Sequence, residues 1–414
     1  MNQFISRKKR HAQRRRFYST LAALSLAITL ISVIGVVPAL WPAAGASAAD
    51  LIRSVAGPQS VAGLETVSDR IQDVIHHMQY SLGGEKSQIS VDGQSGSQDQ
   101  PLPISPAPEA QAQSRATGLP TLETPLPSNP VPPTGTSVPL TDVVNADPYI
   151  GWQPYGPTLH GQAMLAQTVV MLDPDRPYAG IALVRIDLSL LQLHMVPGYL
   201  EPTASPAVQS LIPNLGLIPK PDLGQLVAAF NGGFKTVNGH FGMTVNHVTL
   251  LPAFPGVATL AIFEDGHIQL GTWGRDLFPI PEIVSLRQNC PPILQDGKIN
   301  PLDSIDDHEL WGLTVGNQEI SWRSGLGMSA DGRFLIYAVG NGTTIPLLAQ
   351  ALQKAGASNA MQLDINQHFI HFVTYARNRT NTTLSAIQLL DQMEADPNVF
   401  LTASSRDFFY LTSR

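Results

Sequence analysis

Gln225-Leu226-Val227-Ala228-Ala229-Phe230-Asn231-Gly232-Gly233-Phe234 is the stretch on which the architecture turns. An apolar run of strand length stops at an amide and two glycines, as a buried strand does where it ends in a loop. Glycine has no Cβ, so backbone N–H groups can come close to a ligand there. Trp322-Arg323-Ser324-Gly325-Leu326-Gly327 sets a guanidinium among glycines next to β-like sequence. Met361-Gln362-Leu363-Asp364-Ile365-Asn366 ends another apolar run on a carboxylate. An amide, a guanidinium and a carboxylate at strand ends make a polar pocket without yet naming a reaction.

Around these stretches, residues 150–414 have the length of one domain. Their apolar runs are short and rich in β-branched or aromatic residues: 168–172, 181–186, 190–196, 225–230, 258–263, 334–339, 360–363 and 369–375. Asp265-Gly266, Asp296-Gly297 and Asp331-Gly332 sit between such runs and read as two-residue hairpin turns, whose central residues both need positive φ. Helical spacing occurs at Ile345–Lys354, before Gly356, and again at Leu384–Met393. Strands are expected after each, at 360–363 and 399–402, which hints at crossover units. The expected fold class is α+β: a mixed, hairpin-rich β-sheet domain with a few helices. No internal repeat of fixed period is present.

The part before residue 150 differs in kind. Arg7, Lys8, Lys9, Arg10, Arg14, Arg15 and Arg16 crowd the segment 1–16, and without them 18 basic residues face 32 acidic ones. An acidic body argues against nucleic acid as a partner, because that affinity rests on neutralising phosphates. Residues 17–40 carry no charge and are long enough to cross a bilayer. With the basic flank held inside, they read as a single-pass transmembrane signal anchor that leaves the body extracytoplasmic. Ala46-Ser47-Ala48 resembles a cleavage site, so secretion after signal cleavage is the alternative, and Arg14-Arg15-Arg16-Phe17 loosely matches a twin-arginine signal. Residues 49–82 are expected to hold a stalk helix, with Leu64, Val67, Ile71, Val74, Ile75 and Met78 on one face. Residues 83–149, rich in Pro, Ser, Gly and Gln, read as a flexible linker. Cys290 is the single cysteine, so the domain relies on its core and not on an internal disulfide.

Familiar catalytic signatures are missing: no Gly-x-Ser-x-Gly elbow, no His-Glu-x-x-His, no phosphate loop. One cysteine and scattered histidines argue against a zinc site. Cys290 lacks an obvious base partner. His368 and His371 read as structural or exposed, whereas His240, after the Asn231 loop, is a pocket candidate. Asp364 and Arg323 are the candidate catalytic pair.

The order Phe-Asn-Gly-Gly-Phe (230–234), Gly-Arg-Asp (274–276), Arg-Gln-Asn (287–289), Trp-Arg-Ser-Gly-Leu-Gly (322–327) and Leu-Asp-Ile-Asn (363–366) resembles the phosphodiester glycosidase family. The resemblance spans about residues 160–412 and includes Ser405-Arg406-Asp407-Phe408-Phe409. It implies a mixed α/β sheet domain that hydrolyses a sugar-1-phosphodiester bond, with a carbohydrate or glycosyl-phosphodiester as partner and no cofactor. Carried over by match, Asn231, Gly232, Gly233, Arg323 and Asp364 line the pocket. His240, Asn289, Gly325 and Asn366 complete the expected substrate-binding set. The physical logic is that a phosphate leaving group needs charge stabilisation more than protonation; Arg323 and the Gly232 and Gly233 amides are the expected donors. Asp364 is followed by Ile365-Asn366-Gln367-His368 where a characterised member has glycines and serines, the mark of a bacterial subgroup. Bulkier residues there narrow the site or change which donors face the substrate. A non-catalytic surface glycan-binding module is the rival reading, and a peptidase or other hydrolase a third without a nucleophile–base signature.

Overall fold

Strand β3 (Gly180–Asp187) is apolar along most of its length because both of its faces are covered. Ala182, Val184 and Ile186 face one core, and Ile181 and Leu183 face a second. Its neighbour β14 (Phe334–Thr343) alternates in register with it: Leu335, Tyr337 and Val339 go to the first core, Ile336 and Ala338 to the second. The computed structural model describes residues 150–300, 302, 311–312, 320–377, 384–393 and 396–414. The basic segment, the expected anchor at 17–40, the stalk helix and the linker lie outside these residues. Among the described residues no helix is long and apolar enough to cross a membrane.

The eight-stranded sheet runs β1 (Gln153–Leu159), β2 (Gln162–Met171), β3, β14, β13 (Ser321–Ser329), β15 (Ala357–Gln362), β11 (Leu294–Gln295) and β12 (Lys298–Ile299). One five-stranded sheet runs β7 (Val248–Leu251), β6 (Met243–Val245), β10 (Ile283–Asn289), β8 (Ala258–Phe263) and β9 (Ile268–Thr272). The other runs β17 (Leu384–Gln388), β16 (Phe372–Arg377), β5 (Leu226–Asn231), β18 (Phe408–Ser413) and β4 (Leu191–Val196). Neighbouring strands of these sheets all pair antiparallel, so the sheets are hairpin-rich but not mixed as the sequence suggested. Phe230 on β5 sits 5.4 Å from the rings of Tyr337 and Phe409 and 5.7 Å from Phe372, so aromatic packing joins this sheet to the eight-stranded one directly beneath Asn231.

Two helices are described. The one-turn α1 (Pro206–Gln209) is short; α2 (Ile345–Lys354) covers the second core with Ile345, Leu348, Ala349, Ala351 and Leu352. Thr344 caps α2 by accepting from the Leu347 amide, and Gly356 leaves it at φ +95. The helix expected at 384–393 is instead β17 followed by a turn. Leu384 and Ala386 pack inward while Ser385 and Ile387 do not, a period of two; Leu389, Leu390 and Met393 turn into the first core and only mimic helical spacing. The strand expected at 399–402 is a single 3-10 turn, Val399–Leu401, anchored by buried Phe400. Of the three Asp-Gly turns, only Asp296-Gly297 has positive φ at both residues. Asp265 and Asp331 instead accept the amides of His267 and Arg333, and the glycine alone takes positive φ.

On β4, His194 stacks on Tyr410 at 4.6 Å, and its Nε2 lies 2.8 Å from Thr412 Oγ1. Burial lowers its pKa from the ordinary 6.5, opposed by nearby Asp222 and reinforced by Arg414. The folded state therefore favours neutral His194. This contribution to stability is complete above 6.5 and is lost as pH falls toward the depressed folded value. Urea unfolding midpoints are expected to drop between about pH 7 and pH 5, and His194→Gln should flatten that slope. An unchanged slope in the variant would contradict this.

Candidate functional site

Five segments meet at Gly232 and Gly233: the ends of β5, β10 and β15, the start of β13, and the turn before β18. The Gly232 amide donates to the Asp407 carbonyl (3.0 Å), and its own carbonyl accepts from Asn231 Nδ2 (3.0 Å) and the Asp364 amide (3.2 Å). The Gly233 amide donates to Asp407 Oδ2 (3.2 Å), and its carbonyl accepts from Arg406 Nη2 (2.9 Å). A Cβ at Gly232 would lie 2.1 Å from Asp407 Oδ2, and one at Gly233 3.0 Å from Arg287 Nη2. The glycines are required by this close approach of chain to chain. Both amides are already engaged by Asp407, which corrects the expectation that they serve as an oxyanion hole.

Beneath the glycines lies a buried ion pair, Arg287–Asp407, with both side chains 1% exposed. All five guanidinium hydrogens have acceptors. Nε donates to Asp407 Oδ2, Nη1 to the carbonyls of Phe241 and Gln288, and Nη2 to the Phe234 carbonyl and Asp407 Oδ1. Full satisfaction is the condition under which a charge can be held out of water. Asn289, two residues along β10, accepts from the Phe234 amide (3.1 Å) and donates to the Gln362 and Leu363 carbonyls (2.9 and 3.3 Å). It clips the glycine loop to β15.

Asp364 follows β15 at a local irregularity. Ser324 accepts from the Leu363 amide and donates its own amide to the Asp364 carbonyl, so two residues of one strand face one of the other, as in a bulge. Asp364 Oδ1 accepts from the amides of Ile365 (2.8 Å) and Asn366 (2.9 Å), and Oδ2 pairs with Arg406. These charge-assisted bonds orient the carboxylate. The guanidinium paired with Asp364 is thus Arg406, from the turn before β18. Arg406 also lies 4.4 Å from the Phe369 ring, and its Nε is buried without a hydrogen-bond partner among the described residues. Lys235 stands 5.5 Å over the same ring. Arg323 is buried one residue before Ser324 and donates to Gln362 Oε1 (2.9 Å); Gln362 Nε2 in turn donates to the Trp311 carbonyl (3.0 Å).

Asn231 uses all four of its hydrogen-bonding positions within the network. Oδ1 accepts from Tyr337 Oη (2.9 Å) and the His371 amide (3.3 Å), and Nδ2 donates to Ser324 Oγ (3.0 Å) and the Gly232 carbonyl. Burial pushes the Tyr337 hydroxyl pKa up, keeping it a donor. Ser324 Oγ passes the link on to the Asp364 carbonyl (2.8 Å). Asn231, Gly232, Gly233, Asn289 and Asp364 are joined by these hydrogen bonds, whereas the Nη1 bond of Arg323 goes to Gln362 and not to Asn231 or Asp364.

Two expected substrate-binding residues, His240 and Gly325, fall differently, while Asn366 stays beside Asp364. His240 is exposed on a left-handed backbone (φ 52) with its amide on the Thr236 carbonyl, away from this network. Gly325 belongs to packing: a Cβ there would lie 2.9 Å from the Met361 carbonyl oxygen and 3.2 Å from Leu348 of α2. Asn366 accepts from the His368 amide (3.0 Å), closing a 3-10 turn over Gln367–Phe369. Cys290 is fully buried and burial pushes its thiol pKa up, so it stays protonated. Among the described residues no cluster of three His, Cys, Asp or Glu could hold a metal ion. The residues missed as site members are Arg406, Asp407, Arg287, Ser324, Gln362 and Tyr337. The signal for the first three was in the sequence, in Arg287-Gln288-Asn289 and Ser405-Arg406-Asp407.

Residues 224–364 match the phosphodiester glycosidase family model. Similar solved structures include the zebrafish N-acetylglucosamine-1-phosphodiester alpha-N-acetylglucosaminidase catalytic domain auto-inhibited by its pro-peptide, at 16% identity over 64% of this chain and 88% of that one, with a TM-score of 0.41. A hypothetical protein from Synechocystis is similar at 11% identity over 63% of this chain and 64% of that one, with a TM-score of 0.35. No curated protein matches the chain.

Arg287→Met should destabilise the domain by about 3–5 kcal/mol in chemical denaturation, because it strands a buried carboxylate. Adding Asp407→Leu should restore part of that loss. A double variant no more stable than Arg287→Met would contradict the ion-pair account.

Proposed function

We propose, from the membership of residues 224–364 in the phosphodiester glycosidase family, that this chain hydrolyses the bond between a sugar's anomeric carbon and the oxygen of a phosphodiester. The supporting observation is where the match lies. It begins just before β5 and ends on Asp364, so it takes in Asn231, Arg323, Ser324 and the carboxylate that Arg406 holds.

Water adds a hydroxyl to the anomeric carbon, the carbon–oxygen bond breaks with its electron pair going to the phosphate, and a phosphomonoester leaves. The proton released by water passes to that phosphate or to solvent. A phosphate is a good leaving group once its charge is stabilised, so a single acid and a cationic surround suffice where ordinary glycosidases use two carboxylates. Arg406 takes the phosphate: its Nε is buried without an acceptor, a costly state that a phosphate oxygen relieves. Asp364, fixed by two backbone amides and Arg406, presents negative charge to the oxocarbenium-like sugar or acts on the anomeric carbon or the water. Arg323 orients Gln362 and adds positive charge. Asn231 and Asn289 hold the loops in place, and the half-buried turn 365–369, with Asn366 and His368, receives the sugar.

The sequence before residue 150 supports an exported, membrane-anchored domain acting on an envelope or extracellular glycan, with secretion after signal cleavage as the alternative.

Release of sugar from a glycosyl phosphodiester should fall by about 10²-fold or more in Asp364→Asn and Arg406→Lys, and less in Arg323→Ala. Circular dichroism should show each variant folded. Full activity in both Asp364→Asn and Arg406→Lys would overturn the assignment. Sugar bound equally by wild type and Asp364→Asn, with none released, would assign a glycan-binding module instead.

A further inference from the structure

Exposed apolar side chains border the Arg406 turn. The Tyr199 amide donates to the Ser404 carbonyl (3.1 Å), and the Leu200 amide to the Ser405 carbonyl (3.2 Å), one residue before Arg406. The Gly216 carbonyl accepts from the Ser404 amide (2.8 Å), which sets Leu217 on the same turn. On the other side, Glu201 Oε2 accepts from the Thr236 amide (2.9 Å) and hydroxyl (2.8 Å), bringing Val237 beside Leu200. Tyr199 is 45% exposed, Leu200 60%, Leu217 39% and Val237 70%. Single exposed apolar residues are ordinary, but four on loops hydrogen-bonded into one layer form a patch, and patches mark interaction sites.

The patch is flanked by two cations, Arg406 and Lys235, and by two carboxylates that already have partners, Glu201 on Thr236 and Asp364 on Arg406. Arg406 and Lys235 both lie against Phe369, one residue from Ser405 and two from Val237 respectively. Glu201 is tied to Thr236, so its charge is held on that amide and hydroxyl. A ligand complementary to this surface is negative where it meets the two cations and apolar next to them.

We infer that the alcohol arm of the phosphodiester taken by this site is a hydrocarbon chain, received by Tyr199, Leu200, Leu217 and Val237 beside Arg406. This rests on the phosphodiester reading above and names its substrate class: an amphiphilic glycosyl phosphodiester, with the sugar at Asp364, the phosphate at Arg406 and the chain along the loop layer. The expected anchor at 17–40 would keep the domain close to such amphiphiles.

The test is calorimetric titration of the full-length chain with the methyl and hexyl esters of one glycosyl phosphate, blanked against the carrier detergent alone. The hexyl ester should bind at least about tenfold tighter, since each buried methylene adds to affinity. Leu200→Ser combined with Val237→Ser should bring the two esters within about twofold of each other. Equal affinities in wild type, no measurable binding of either ester, or a preference that survives the double variant would overturn the inference. A hexyl preference without sugar release would support it and count against hydrolysis alone.

Discussion

The buried Arg287–Asp407 pair is the constraint from which the rest of the site follows. A guanidinium and a carboxylate, both 1% exposed, are tolerable in the interior only if every donor is matched, and here five hydrogens meet five acceptors. Those acceptors come from Phe234, Phe241, Gln288 and Asp407, so the pair fixes the glycine loop, the approach to β6, the end of β10 and the turn before β18 relative to one another. The two glycines are the corollary. Their missing side chains make room for Asp407 and Arg287, and their carbonyls then receive Asn231, Asp364 and Arg406.

From that frame the candidate pair, Asp364 and Arg406, is placed indirectly. Asp407 is sealed in the interior, while its chain neighbour Arg406 turns to Asp364. Adjacent residues in the turn before β18 thus point to opposite partners, one structural and one at the candidate site. The bulge at Ser324 and the two amides of residues 365 and 366 hold the carboxylate, and Asn366 closes the turn that folds Phe369 back against Arg406. Residues 365–368 therefore have a definite role: they form the turn that carries Phe369 against the Arg406 guanidinium.

Much of this was legible in the sequence because burial leaves a plain trace. The runs at 181–186, 225–230, 258–263 and 334–339 became β3, β5, β8 and β14, and Ile345–Lys354 became α2 with the bounds expected. The segments of Asn231 and Asp364 meet at the Gly232 carbonyl, while the Arg323 side chain turns to Gln362. What could not be read was partnership. No local pattern says that Arg287 will meet Asp407 across 120 residues, or that Arg406 and not Arg323 will pair with Asp364. The glycine amides looked like free donors because their acceptors lie in a distant turn. β17 was misread because the leucines that follow it turn into another core and complete a false helical period.

The central claim is that the carbon–oxygen bond of a glycosyl phosphodiester breaks at this site, and isotopic labelling tests it most directly. Incubation of a glycosyl phosphodiester with the purified chain in water enriched in oxygen-18, followed by mass spectrometry of both products, shows which bond is cut. The account predicts the label on the anomeric hydroxyl of the released sugar and an unlabelled phosphomonoester. Label in the phosphate, or no products at all, would contradict it.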